Sequence, residues 1–315
     1  MIIQKWTGYC GIFCNIPKKG RGMIWLLSCF QNGSESRLPD EHQEITTEEF
    51  SVIIIADPHV AQAGEYEERL RMTVDWINTH KEEEDIAFVA VLGDVGWGEG
   101  LVLAHEALEK LDVPYIPIIG DNEVHFGDEE RFFTIFEGAY TQAQEWCSDW
   151  NDSFSVVWNP EHEQDSSFGN FSCLFRNTRF YGLDWASRHS GSILGEMGDL
   201  HDFDGGSLDW FRQELITDEE SSSPIFLFTH IPMYVNGGAF DIYEMATLEE
   251  LLASYSDRLI SNFAGHYHSD SYNELDLYDL VVVDAIWDDK IRFQKLTISQ
   301  TGTEFSFSRE LITLD

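Results

Sequence analysis

Apolar residues are scattered irregularly over the first part of the chain and then, from about Phe50, gather into short blocks of two kinds. Ser51 to Ala56 is a nearly unbroken β-branched run, the composition of a strand buried on both faces. Glu65 to His80 carries Leu70, Val74 and Ile77 at helical spacing behind an acidic first turn, which complements the positive end of a helix. A second apolar strand over Ile86 to Leu92, a helix from about Leu101 to Leu111 and a third strand over Tyr115 to Ile119 follow. The order β-α-β-α-β predicts parallel strands joined by right-handed crossovers, hence an α/β fold.

From about Asp128 to Ser207 the period is lost and the segment is rich in aromatics, Asn, Asp, Ser and Gly. It reads as cap or insertion loops around a strand pair near Ser167 to Phe175 and Arg179 to Leu183. Strand-like runs resume at Ile225 to Thr229, Leu259 to Phe263, Leu280 to Ile286 and Ile291 to Ser299, with one helix near Ala246 to Ser254. The expected organisation is a polar or targeting segment over 1–48 and one folded domain over 49–315 carrying an irregular insertion at 128–207.

The chain has 57 acidic against 19 basic side chains, a net charge of −38. Such a surface opposes long nucleic acid and anionic membranes, and with only seven lysines it suits a salty or divalent-rich medium that screens self-repulsion. Lys18, Lys19 and Arg21 precede a short apolar run, Met23 to Leu27, and then Ser28-Cys29, a partial likeness to a lipoprotein export signal. The run is shorter than the roughly 7–15 residues of a signal core, so export with a lipid anchor at Cys29 and a cytoplasmic location both stay open. No stretch approaches the ~20 apolar residues of a membrane span, and nothing in the sequence speaks to oligomeric state. Cys147 and Cys173 could pair in an oxidising compartment or stay free; the five cysteines form no metal-knuckle pattern.

Candidate chemistry sits just beyond the strand ends, where open α/β sheets place their ligand sites. Asp57-Pro58-His59 follows the first strand, Gly93-Asp94 the second and Gly120-Asp121-Asn122-Glu123 the third; Thr229-His230 and Gly265-His266-Tyr267-His268 follow two later ones. Each alone is a weak signal, since Asp and Gly are common in turns. Together they supply carboxylate, imidazole and amide groups in sufficient number for two metals, suited to Mn, Fe or Zn.

These motifs resemble the signature of the calcineurin-like metallophosphoesterases, Asp-x-His, Gly-Asp, Gly-Asn-His-Asp/Glu, His, Gly-His-x-His. The resemblance spans about Ser51 to Ser299. It implies a four-layer α/β/β/α sandwich of two mixed β-sheets flanked by helices. It also implies two divalent or trivalent metal ions, the first held by Asp57, His59 and His268, the second by Asp121, His230 and His266, with Asp94 bridging. The implied activity is hydrolysis of a small phosphate monoester or diester by attack of a metal-bridging hydroxide, with nucleotide or phospholipid-headgroup diesters and a catalytically weakened binding module as alternatives.

One departure stands out. Where the family has Asn-His, this chain has Asp121-Asn122, so the general-acid histidine is missing. Either Asp121 is the ligand and Glu123 matches the family's acidic residue, or Asn122 is the ligand with the loop shifted by one. His125 is a candidate replacement acid. Trp97, Trp185 and Tyr234 follow strand ends and could wall a substrate pocket, though ordinary packing is the commoner fate of aromatics. Arg188, His189 and His201 could contact a phosphate, with surface placement as the default.

Overall fold

The computed structural model describes residues 47–188, 197–236, 238–302 and 304–314. The chain divides into two units, Met1–Glu44 and Ile45–Asp315. The first lies outside the described residues, and with it Cys29 and the basic cluster on which the targeting expectation rests.

The elements run β1 (Thr47–Ile55), α1 (Glu65–His80), β2 (Ile86–Leu92), α2 (Glu99–Leu108), β3 (Tyr115–Ile118), α3 (Asp121–His125) and α4 (Glu129–Trp146). Next come β4 (Asp149–Asp152), β5 (Val156–Asn159), β6 (Gln164–Ser167), β7 (Phe171–Phe175), β8 (Thr178–Leu183) and α5 (Ser207–Thr217). The chain continues with β9 (Ile225–Thr229), α6 (Ile242–Leu252), β10 (Leu259–Ala264), β11 (Ser271–Glu274), β12 (Asp279–Val282), β13 (Ile291–Thr301) and β14 (Glu304–Leu314).

Two mixed sheets result. One has the order β14-β13-β1-β2-β3, with β1, β2 and β3 parallel and β13 antiparallel to β1. The other has the order β11-β12-β10-β9-β8-β7-β4, parallel from β8 to β12 and antiparallel at both edges. The alternation along β9 explains how they stack. Phe226 and Phe228 join the core shared with Val52, Ile54 and Phe88 of the first sheet, while Ile225 and Leu227 face Leu208 and Phe211 of α5 and Leu248 of α6. The first sheet turns its other face to Leu70 and Val74 of α1 and Leu101 of α2, which completes the α/β/β/α sandwich. Each fully buried aromatic between the sheets contributes roughly 1.5–3 kcal/mol.

The segment over 128–207 is more regular than its sequence suggests. It opens with the 18-residue α4, whose Phe132, Phe136, Ala139, Tyr140 and Ala143 form one buried stripe. Most described aromatic residues of this segment, Phe132, Phe136, Phe171 and Phe180 among them, fill the core, while Trp158 of the β5-β6 hairpin stays exposed. Three of its strands, β4, β7 and β8, belong to the second sheet, and only the β5-β6 hairpin stands apart. Cys147 and Cys173 form a disulfide that ties the end of α4 to β7.

Smaller differences have local causes. The later helix starts at Ile242 because Asp241 caps it, accepting from the N–H groups of Tyr243 and Glu244. The strand expected to Ile286 ends at Val282, beyond which the chain crosses to the first sheet, where Ala285 bridges Ala56. β14 carries no apolar block that would mark it in the sequence: its Glu304–Leu314 run is mostly exposed and carries charge, as an edge strand does. Among the described residues no helix is long and apolar enough to cross a membrane.

Candidate metal centre

Five loops at the ends of β1, β2, β3, β9 and β10 bring the sequence-selected groups together. Asp57, His59, Asp94 and His268 form one group of potential ligand atoms within 4.8 Å of one another, and Asp121, His230 and His266 form a second. The backbone is bent to do this: Asp57, His59, Asp94, His266 and His268 all have positive φ, between 48° and 72°. Non-glycine residues seldom adopt that region, at a cost of about 1–3 kcal/mol each, and such strain clusters at functional sites. The glycines beside them are fixed by crowding. A Cβ at Gly120 would lie 2.2 Å from an Asp94 carboxylate oxygen, and one at Gly93 would lie 2.6 Å from the His230 ring.

Asp94 stands between the two groups. Its Oδ2 is 3.2 Å from His59 Nε2 and its Oδ1 is 3.5 Å from His230 Nε2. His268 Nε2 lies 3.5 Å from Asp57 Oδ1, and the His266 backbone N–H points at both Asp57 oxygens at 3.1 Å. In the second group, Asp121 Oδ1 lies 2.7 Å from His230 Nε2 and 3.0 Å from His266 Nδ1.

The far nitrogens of the same rings are fixed by main-chain carbonyls. His230 Nδ1 donates to Leu92 O at 2.8 Å and His266 Nε2 donates to Gly238 O at 2.8 Å. This leaves Nε2 of His230 and Nδ1 of His266 to face Asp121, the arrangement by which an outer hydrogen bond selects the ligating nitrogen of a histidine. The fit to cations is supported by an orphan atom: His59 Nε2 is buried, faces two carboxylates and has no hydrogen-bond partner. The donor set of carboxylates and imidazoles suits Mn, Fe or Zn.

Mutual attraction within the cluster governs its titration. Burial alone would raise the Asp57 carboxyl, yet attraction to the neighbouring His268, His59 and His230 rings outweighs it and holds the group well below the usual carboxylate range. Asp121 is likewise held low, with His230 and His266 overcoming its burial. Burial would lower His59, but its contacts with Asp57 and Asp94 push it up to about 9. These are carboxylate charges drawing on whatever positive charge is available.

Of the two residues left open for the second group, Asp121 meets the histidines. Asn122 turns to Asp94 instead, giving its backbone N–H to Oδ1 at 2.9 Å and its side-chain amide to Oδ2. Glu123 is fully buried and braces the loops after β2 and β3: its carboxylate accepts from the N–H groups of Gly120 at 2.7 Å, Gly96 at 2.9 Å and Asp94 at 3.1 Å. Burial and then the Asp94 charge push Glu123 up to about 8 against the pull of those N–H groups. His125 sits one turn further along α3 with its ring edge-on to Phe126 and its Nδ1 buried without a partner.

The aromatic candidates separate. Trp97 packs on His59 at 5.4 Å and stacks on Phe126 at 5.0 Å, and Tyr234 packs on Tyr267, which lies against His266. Trp185 does not reach the pocket. It is 1% exposed, and its ring is buried against Phe211 and Phe240 behind the second sheet. Sequence reasoning missed Trp287, which packs on both His59 and His268 at 5.6 and 5.2 Å; its place just after the Val281–Ile286 apolar run was the available signal. Arg188 and His201 are buried, contrary to the expected surface placement. Arg188 is held by Asp184 at 2.7 Å because an unpaired guanidinium could not be buried, and His189 lies outside the described residues.

A model of the calcineurin-like phosphoesterase family matches residues 50–270. Among solved structures, a putative 5′-nucleotidase from Staphylococcus aureus in complex with alpha-ketoglutarate is similar, at 11% identity and a TM-score of 0.53, over 84% of this chain and 54% of that one. The chain thus spans about half the length of that relative. GAP50, described as the anchor in the inner membrane complex of Plasmodium, is 11% identical with a TM-score of 0.48, over 83% of this chain and 84% of that one. No curated protein matches. With the family model covering most of the folded unit and the two-sheet sandwich beneath it, the chain belongs to the calcineurin-like phosphoesterase family.

Proposed function

We propose that this protein hydrolyses a small phosphate monoester or diester at a centre of two metal ions. Asp57, His59 and His268 would hold one ion, Asp121, His230 and His266 the other, and Asp94 would serve both. Bound there, two cations would neutralise phosphate oxygens and lower the pKa of a water toward neutrality. The observation that carries the reading is that the two Asp94 oxygens face different ligand groups, one toward His59 and one toward His230.

The remaining roles fall to the chain's own residues. Asn122 holds Asp94 in orientation with two donors, and Glu123 fixes the loops that carry Asp94, Gly96 and Gly120. Trp97, Trp287 and Tyr234 would border the substrate. Asn122 cannot give a proton to a departing oxygen, so the reading includes a preference for esters whose leaving groups are already acidic. The same substitution favours a second reading, a weakly active binding module on this fold. The net charge of −38 argues for small substrates over long nucleic acid in either case.

Assay of the purified protein against an aryl phosphate monoester and an aryl diester, with Mn²⁺ and after chelation, separates the two. Metal-dependent turnover of either ester supports the enzyme. Stoichiometric metal binding with no turnover of both esters supports the binding module.

A further inference from the structure

Outside the centre described above, a third set of potential ligands lies between the β5-β6 hairpin and the segment that precedes α5. Glu161, Asp199 and His201 have ligand atoms within 4.8 Å of one another. Acidic groups often cluster at a surface without consequence, but here a fully buried imidazole points into the cluster. His201 is 0% exposed, and its Nε2 faces the carbonyl oxygen of Ala186 at 3.0 Å, so this nitrogen carries the proton and donates. Nδ1, on the other side of the ring, is buried and has no hydrogen-bond partner. It faces Asp199 Oδ1 at 3.4 Å and Glu161 Oε2 at 4.0 Å.

A neutral imidazole held this way turns a lone pair toward two carboxylates, which is unfavourable unless a positive charge lies among them. Among the described residues, the Arg188 guanidinium that acts on this ring is already committed to Asp184 and to the carbonyls of Ala186 and Ser167. Asp199 and Glu161 also line a surface cavity of about 420 Å³ together with Asp241 and Glu244, so the field there is strongly negative and the approach from solvent is open. The spacing suits a small cation. Ligands on a tetrahedral ion with ~2.1 Å bonds stand roughly 3.4 Å apart, which is the separation of His201 Nδ1 from Asp199 Oδ1. Glu161, with a side chain 43% exposed, has room to close the remaining gap.

We infer that Glu161, Asp199 and His201 form a further divalent-cation site, separate from the two ligand groups around Asp94, that takes a borderline ion such as Zn²⁺ or Mn²⁺. One imidazole and two carboxylates are the donor set these ions favour, and three protein ligands leave a position for water. Its role is to tie the hairpin tip to the segment leading into α5, coupling binding to local stability.

The test is a count of metal equivalents on the full chain after dialysis against Zn²⁺, comparing the parent with Asp199→Asn and Glu161→Gln, together with the rise in thermal midpoint that Zn²⁺ produces in each. Both carboxylates are partly exposed, so their amide variants should fold. The expected result is one fewer equivalent in each variant, a smaller Zn²⁺-induced rise, and unchanged metal content in Asp94→Asn at this third site. If both variants keep the parent's full metal content, the inference is overturned. It is overturned equally if the parent binds no ion that Asp199→Asn loses and His201 titrates as an imidazolium paired with Asp199.

Discussion

Asn122 donates to both oxygens of Asp94, one from its backbone and one from its side-chain amide. On the proposed reading it stands where the family's proton-donating histidine would, and supplies orientation in place of acid. Proton donation to a leaving group typically contributes ~10²–10⁴-fold, most for strongly basic alkoxides. Across esters graded in leaving-group pKa, the parent's rate should therefore fall steeply as that pKa rises. Asn122→His should flatten the slope. A shallow parental slope that steepens in His125→Ala would instead assign the acid to His125.

Asp94 lies between the two ligand groups, and its loss should be felt in both. Asp94→Asn should bind both ions more weakly and lose activity by on the order of 10²-fold or more, the scale set by removing one preorganised charge-stabilising group. Metal content after dialysis, measured beside kcat, checks this. Retention of the parent's full metal content and full activity would remove Asp94 from the bridging role.

His230 and His268 should differ in stability although both variants lose activity. His230 is 1% exposed, with hydrogen bonds to Leu92 and Asp121, whereas the His268 side chain is 32% exposed. His230→Ala leaves Asp121 buried with one partner fewer, and should cost the metal-free protein on the order of 3 kcal/mol. His268→Ala also takes a partner from the buried Asp57, but His59 and the His266 backbone N–H remain beside that carboxylate, so the cost should be smaller, about 1 kcal/mol. Urea unfolding of the chelated proteins reads both values.

The Cys147–Cys173 disulfide closes a loop with a sequence separation of 26. On the chain-entropy relation this corresponds to about 3.5 kcal/mol. Reduction, or Cys147→Ser with Cys173→Ser, should lower the thermal midpoint by roughly 5–10 °C while leaving the metal centre assembled. Calorimetry with and without reductant measures the shift.

Glu244 gives the pH dependence. Burial first, then the Asp199 charge among others, raises its carboxyl from 4.5 to about 7, against backbone donors at Leu200 and Asp241. The folded chain thus holds a proton here that the unfolded chain releases, so this contribution to stability is complete below about pH 4.5 and is lost as pH rises through about 7. Glu244→Gln keeps an acceptor for the helix cap and cannot titrate. Its unfolding free energy should fall less than the parent's between these pH values, and equal slopes would contradict the assignment.

Local pattern was enough for much of this protein. The β-branched run before Asp57, the spacing of Leu70, Val74 and Ile77, and the glycines ahead of Asp94 and His266 are properties of neighbouring residues, so the parallel strands and the residues at their ends could be read from order alone. Strand ends on one edge of a sheet converge whatever the loops contain, which is why the motifs after β1, β2 and β3 indicated one centre; that those after β9 and β10 join them follows from the stacking of the two sheets. What neighbours could not decide was which way a side chain turns once the layers close. Trp185 and Trp97 each follow a strand; the layer behind the second sheet buries the first, and His59 and Phe126 hold the second at the centre. Asp121 and Asn122 differ by about 100° around α3, and only the placing of the loops after β9 and β2 brings one to His230 and the other to Asp94. The length of α4, the pairing of Cys147 with Cys173 and the burial of His201 are likewise fixed by contacts between residues far apart in the chain, because burial is a property of the assembled layers.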